Sequence, residues 1–196
     1  MNFETLVIAS RNPHKVKEIQ AILSGVHVAV KSLLDFPQFP ETVETGDTLE
    51  ENARLKAVEA HARTGLPVIA DDSGLEVYYL LGEPGVYSAR YAGPSATFDD
   101  NNRKLLRAMT QVPARRRQAC FRCVISMIAR GIDQFFEGRM EGGIGFARKG
   151  QNGFGYDPIF IPDGFGMTYA ELPPEEKNRI SHRSIAIRKM VQYLSR

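Results

Sequence analysis

Two adjacent carboxylates, Asp71 and Asp72, follow the apolar run Leu66-Pro67-Val68-Ile69-Ala70 and precede Ser73-Gly74. Neighbouring acids at the end of a buried strand are costly unless a cation or a function holds them there. Strand alternation sends them to opposite sides, so one faces a site and the other supports the turn. Carboxylate oxygens of this kind suit Mg²⁺, which keeps several waters and takes one or two carboxylates. The same residues also read as an Asx turn before Gly74. A second polar cluster, Ser10-Arg11-Asn12-Pro13-His14-Lys15, follows the run Leu6-Val7-Ile8-Ala9. Its hydroxyl, amide, ammonium and helix N-terminal N–H groups suit an anion. The alternative is a plain N-cap with a solvated lysine.

Three further groupings carry less information singly. Asn52 and Lys56 are four apart, on one side of a helix; a lysine there more often snorkels along a packed face. Gly153-Phe154-Gly155-Tyr156-Asp157 offers close backbone approach and stacking aromatics, or simply a packed turn. Lys177-Asn178-Arg179-Ile180-Ser181-His182-Arg183 places basic groups around a helix start, where the dipole is already positive, a mild sign of an offsetting anion or polar ligand. Cys120 and Cys123 form a C-x-x-C, but strand spacing sends them to opposite faces, against zinc or redox chemistry.

The elements that position these groups follow from periodicity and caps. Leu6–Ala9 reads as a buried strand. Asn12 caps a helix with Pro13 at its first position, ended by Gly25. Val26–Val30 reads as the next strand, and 35–47 as a Pro-containing loop. Thr48 and Glu51 have capping-box spacing for a helix to about Arg63, closed by Gly65. The strand ending at Ala70 runs into the acidic pair. Thr97 caps a helix over Phe98–Met109. Ala119–Ala129, Gln134–Met140 and Gly142–Ala147 read as strands of a hairpin or meander. Ser181 caps a last helix. Strands alternate with helices and then cluster, which predicts an α/β fold with a mixed sheet flanked by helices.

Bulk properties narrow the class. The 196 residues carry 25 Lys plus Arg against 23 Asp plus Glu, a net charge of +2. With 43% hydrophobic residues this is ordinary globular composition, not disorder. The length predicts a single domain over 1–196, with room for two lobes. No apolar run reaches the ~20 residues of a membrane span. No signal peptide is visible, and two cysteines make no disulfide framework, so a cytoplasmic protein is expected. Balanced charge argues against a nucleic-acid partner.

In this order, the motifs resemble one family, the inosine/xanthosine triphosphate pyrophosphatases, or Ham1-like proteins. The matching stretches are Ser10–Lys15, Glu51-Asn52-Ala53 with Lys56-Ala57, Asp71-Asp72-Ser73-Gly74-Leu75, Pro84–Tyr91, Gly153–Phe160 and Ser181-His182-Arg183. The resemblance implies an elongated, two-lobed α/β fold with a ligand cleft between the lobes, and a homodimer. It implies Mg²⁺-dependent hydrolysis of ITP, dITP and XTP to the monophosphate and pyrophosphate. It assigns the triphosphate to Ser10, Arg11, Asn12, Pro13, His14, Lys15 and Lys56. It makes Asp72 the general base and a metal ligand and puts Ser73 on the nucleotide. Phe154, Gly155, Tyr156, Asp157, Lys177, His182 and Arg183 then hold base and sugar. Two positions depart from the pattern. Arg11 replaces a small residue of the phosphate turn. Val43 stands where some members carry an acid one position before the residue matching Glu44, so Glu44 or a water completes the magnesium shell. A broader triphosphatase releasing orthophosphate, or a non-catalytic nucleotide binder on the same fold, are the alternatives.

Overall fold

Three helices start where side chains can cap them. In the computed structural model, which describes residues 3–40 and 42–195, Asn12 accepts from the N–H groups of His14 and Lys15 at the head of α1 (Pro13–Leu23). Thr48 and Glu51 form a reciprocal capping box on α2 (Leu49–Thr64), which ends on Gly65 at φ 66°. Thr97 and Asp100 do the same for α3 (Phe98–Ala108). Each box satisfies N–H groups that the first helical turn cannot.

The strands are β1 (Thr5–Ile8), β2 (Ala29–Ser32), β3 (Val68–Val77), β4 (Pro84–Gly85), β5 (Gln118–Ala129), β6 (Ile132–Ile144) and β7 (Phe160–Pro162). They form one mixed sheet in the order β2-β1-β3-β5-β6-β7, with β4 on β3. β1 lies parallel to both β2 and β3, while β4 and β7 pair antiparallel with β3 and β6. Two more helices, α4 (Pro174–Ile180) and α5 (His182–Leu194), close the chain. The fold is α/β, as expected. No described helix is long and apolar enough to cross a membrane.

By its contacts the chain divides into two compact units, residues 1–72, 123–138 and 182–196, and residues 73–122 and 139–181. In the first, Leu6, Ile8 and Ile69 pack with Val16, Ile19, Ala186, Ile187 and Met190 of α1 and α5. Val7, Val68 and Ala70 pack with Ala57 and Ala60 of α2. The period-2 alternation of β1 and β3 thus serves two different helical faces. The second unit is built around Leu75, Leu105, Met109, Phe121, Tyr156, Phe160 and Tyr169.

Four local expectations change. β2 spans Ala29–Ser32 rather than Val26–Val30, because its register matches β1 from Thr5 to Ile8; Val26 and Val28 pack against the core instead. β3 does not end before the acidic pair but runs through it to Val77, since both carboxylates have cationic partners within the strand's surroundings. β6 is one strand through Gly142, where a Cβ would stand 2.3 Å from the Ile161 carbonyl oxygen of β7; the glycine permits close strand approach rather than a break. Lys177 lies on a short helix of its own, α4, where the sequence reading has only a basic stretch leading into the last helix. Its signal was present: Pro174 at the first position, Glu175 and Glu176 in the first turn, and Lys177 and Arg179 in the last, each favoured by the dipole.

Candidate active site

The site of the first unit is built where the end of β1, the heads of α1 and α5, and the middle of α2 meet β3. Asp71 and Asp72 are 2% and 7% exposed. Alternation sends them to the two faces just described. Asp71 shares the side of Ile69 with α1 and α5, and Asp72 the side of Ala70 with α2.

Asp71 is fully engaged. Lys15 Nζ lies 2.5 Å from its Oδ1. Arg183 Nε donates to Oδ2 at 2.8 Å and Nη2 reaches Oδ1 at 3.5 Å. Cys123 Sγ donates to Oδ2 at 3.1 Å. Burial alone would push this carboxyl up. The Arg183 guanidinium, and after it the Lys15 ammonium, overcome that and hold it well below the usual carboxylate range. Arg183 is 2% exposed, and its Nη1 donates to Glu18 of α1. Two cations therefore meet two carboxylates, so the buried cluster is neutral.

Asp72 has a different environment. Lys56 Nζ donates to Asp72 Oδ1 at 2.6 Å, to Glu44 Oε1 at 2.8 Å and to the Asp71 carbonyl at 2.9 Å. All three ammonium protons are used. Burial, aided by the nearby Glu44, raises the Asp72 carboxyl against the pull of Lys56 and Lys15. Burial would lower Lys56, but Asp72 and then Glu44 overcome it and keep the ammonium charged. The two neighbouring acids are thus pushed in opposite directions.

The Ser10–Lys15 turn folds around its own cap. Asn12 Oδ1 takes the N–H of His14 at 3.0 Å and of Lys15 at 3.3 Å, and Ser10 Oγ accepts from the N–H of Asn12 at 3.2 Å. Pro13 opens α1, and His14 is exposed. Arg11 Nη2 donates to the carbonyls of Phe36, at 3.2 Å, and Phe39, tying the loop after β2 to this turn. Asn52 is also structural: its amide accepts from the Gly46 N–H at 2.8 Å and donates to the Gly46 carbonyl at 3.3 Å, holding the segment that carries Glu44. Val43 is 76% exposed. Ser73 is half-buried on β3, and His182 is buried as the first residue of α5.

The second unit holds its own group. Asp157 Oδ2 accepts from the Phe154 N–H at 2.7 Å and from Lys177 Nζ at 2.5 Å. Lys177 Nζ also lies 5.0 Å from the centre of the Phe154 ring, within cation–π range. Tyr156 OH donates to the Ser88 carbonyl at 2.9 Å. Gly153, at φ 72°, has no room for a side chain, since a Cβ there would meet Asp157 Oδ2 at 2.0 Å.

Glu18 and Cys123 were not among the residues expected to matter. Glu18 lies one helical turn past Lys15, on the same face of α1, and that spacing was its only signal. Cys123 falls, as expected, on the face opposite its neighbour in the C-x-x-C: it packs with Ile125 and Met127. Both thiols are buried and neither is in a disulfide, and Cys123 is occupied by its bond to Asp71.

The carboxylates of Glu44 and Asp72 lie side by side, each paired with the Lys56 ammonium. That donor set suits a divalent cation completed by waters and phosphate oxygens. Among the described residues no cluster of three or more His, Cys, Asp or Glu side chains is placed to hold a metal.

Comparison with known proteins places this geometry. Residues 6–193 match the Ham1 family. The chain is 47% identical over 189 residues to the dITP/XTP pyrophosphatase of Thermoanaerobacter sp. (strain X514), covering 96% of each chain. It is 48% identical to the protein of that name from Porphyromonas gingivalis, covering 97% of each. Its backbone matches a HAM1 protein from Coxiella burnetii with a TM-score of 0.88 and 40% identity, covering 98% of this chain and 99% of that one. The Staphylococcus aureus Ham1 protein matches with a TM-score of 0.85 and 42% identity, covering 97% and 98%.

Proposed function

The chain belongs to the Ham1 family, and from that membership we propose that it hydrolyses dITP, ITP and XTP to the nucleoside monophosphate and pyrophosphate. The observation that carries the reading is the different company of the two neighbouring acids. Asp71 is fixed between Lys15 and Arg183, while Asp72 lies beside Glu44 and is bonded through one oxygen to Lys56.

A triphosphate carries about four negative charges near neutrality and repels an attacking water. Lys15 and Lys56 offset that charge where it grows in the transition state. Asp72 accepts the proton of a water that attacks the α-phosphorus; the α–β bridging bond breaks and pyrophosphate leaves. Asp72 and Glu44 are the residues that would hold Mg²⁺, which would supply further charge neutralisation when bound. Phe154, Gly155, Tyr156, Asp157, Lys177, His182 and Arg183 would hold the base and sugar. Hypoxanthine and xanthine present a C6 carbonyl where adenine presents an amino group. Cationic donors match the first and leave the second unpaired, a mismatch worth up to about 10⁴-fold. The protein then clears non-standard purine nucleotides from the pool.

We place this activity in the cytoplasm, which suits two free thiols. We also propose a homodimer, supported by the exposed Tyr78, Tyr79 and Leu81 within one short stretch.

A panel of nucleotides incubated with Mg²⁺, with products identified by mass spectrometry, tests the reading. Pyrophosphate with IMP from ITP, and far slower turnover of ATP, are expected. Orthophosphate with IDP, or binding without turnover, would refute it.

A further inference from the structure

We propose that Asn102, on the second turn of α3, is a positioning residue for the base-holding loop and thereby sets base discrimination. The inference rests on the assignment of residues 154–157 to the base.

Asn102 is 1% exposed in the middle of a helix, a place where asparagine is neither a good helix former nor cheaply buried. Its Nδ2 donates to the Phe98 carbonyl at 2.7 Å and to the Gly155 carbonyl at 2.8 Å. Its Oδ1 meets no donor among the described residues. The two carbonyls settle the orientation of the amide, because turning it over would set oxygen against oxygen. The side chain accepts the cost of one idle acceptor and keeps a bond to a loop 53 residues away.

The preceding residue shows what a purely structural asparagine looks like here. Asn101 accepts from the Ala92 N–H at 2.8 Å and donates to the Ala89 carbonyl at 3.0 Å, using both ends of its amide.

The target of Asn102 needs holding. Gly153 and Gly155 both have positive φ, 72° and 61°, and between them they leave Phe154 on a backbone that glycine makes permissive. Asp157 pins the Phe154 N–H on one side of that residue. Asn102 pins the Gly155 carbonyl on the other. The same face of α3 presents Phe98 one turn earlier, with its ring centre 6.0 Å from that of Phe154. Helix α3 therefore grips the loop by a ring and an amide at i and i+4, and the Phe154 ring is held over Lys177.

The test is Asn102→Ser. A helical serine can still bond the carbonyl four residues back but is too short to reach Gly155. We expect the KM for ITP to rise about five- to tenfold, the scale of one neutral hydrogen bond. The preference for ITP over ATP should fall by a similar factor, with kcat changed less than about threefold. Hydrogen exchange of the Phe154 amide should quicken. Asn101→Ser serves as the structural comparison and should lower Tm while keeping the ITP/ATP ratio. Unchanged KM and unchanged preference in a folded Asn102→Ser protein would overturn the proposal, whatever happens to Tm. Should the serine variant not fold, Asn102→Leu, which removes the idle acceptor, gives the same reading. A wild-type protein with no preference for ITP would instead refute the proposed function, and this inference with it.

Discussion

Replacing Arg183 with methionine should cost stability on a scale the buried cluster allows to be worked out. The guanidinium and Asp71 are 2% and 0% exposed as side chains, 2.8 Å apart. Breaking a buried ion pair from one side costs about 3–5 kcal/mol. A second route gives a similar ceiling. Asp71 could escape by protonating, and at pH 7 that costs about 4 kcal/mol for a carboxyl of ordinary pKa, at about 1.36 kcal/mol per pH unit. Lys15 and Cys123 remain as partners, so the lower part of the range is expected. For a chain of this length it corresponds to a Tm drop of roughly 6–12 °C. The pH dependence has a definite sign. In the wild type the Asp71 pKa is depressed, so its contribution is full above the unfolded value and is lost as pH falls through the lower folded one. Without Arg183 burial pushes the carboxyl up, so the variant recovers part of its deficit as pH falls from 8 toward 5. Thermal melts by circular dichroism across that range, in metal-free buffer, measure both effects. A loss below about 1 kcal/mol would mean that Asp71 and Arg183 are solvated and that the neutral-cluster argument is wrong; a deficit independent of pH would mean that Lys15 alone keeps Asp71 ionised.

Asp72→Asn should lower kcat at least about 100-fold, the low end of general-base effects, while nucleotide binding measured by calorimetry persists; near-normal turnover would remove Asp72 from its role. The fold should tolerate the change, because Lys56 keeps Glu44 and the Asp71 carbonyl. Gly153→Ala forces a Cβ against Asp157 at a positive φ and should destabilise the protein by about 1–3 kcal/mol; an unchanged calorimetric Tm would contradict the contact. Asp100, whose carboxyl is lowered to about 2 chiefly by its bonds from Thr97 and then Arg103, should keep its cap on α3 above pH ~4 and lose it as pH falls toward ~2. Carbon chemical shifts of Asp100 followed by NMR would show a midpoint near 4 if the cap were absent.

Local rules are legible where the partner lies nearby in the chain. The caps at Asn12, Thr48 and Thr97 and the left-handed Gly65 come from spacings of one to four residues, and they form as read. Alternation along a strand correctly separates Asp71 from Asp72. Boundaries set by pairing partners are less legible. β2 takes its limits from β1, and the continuation of β3 through two acids depends on lysines 16 and 56 residues away. The seven-residue α4 has too few turns to show periodicity, so no helix is read from the sequence immediately before Ser181.

What the chain order alone determined is the inventory: an α/β alternation, the capped helices, an adjacent acid pair and the family motifs that hold them in sequence. Tertiary structure decided which acid meets which base. Arg183 is joined to Asp71 across 112 residues and to Glu18 across 165, and Asn102 to Gly155 across 53. Spacing carries no information about such contacts, because they form only when packed elements bring remote groups together. Their cationic neighbours then separate the two adjacent acids: burial pushes both carboxyls up, and only Asp71, on the face shared with Arg183, is pulled well below the usual range.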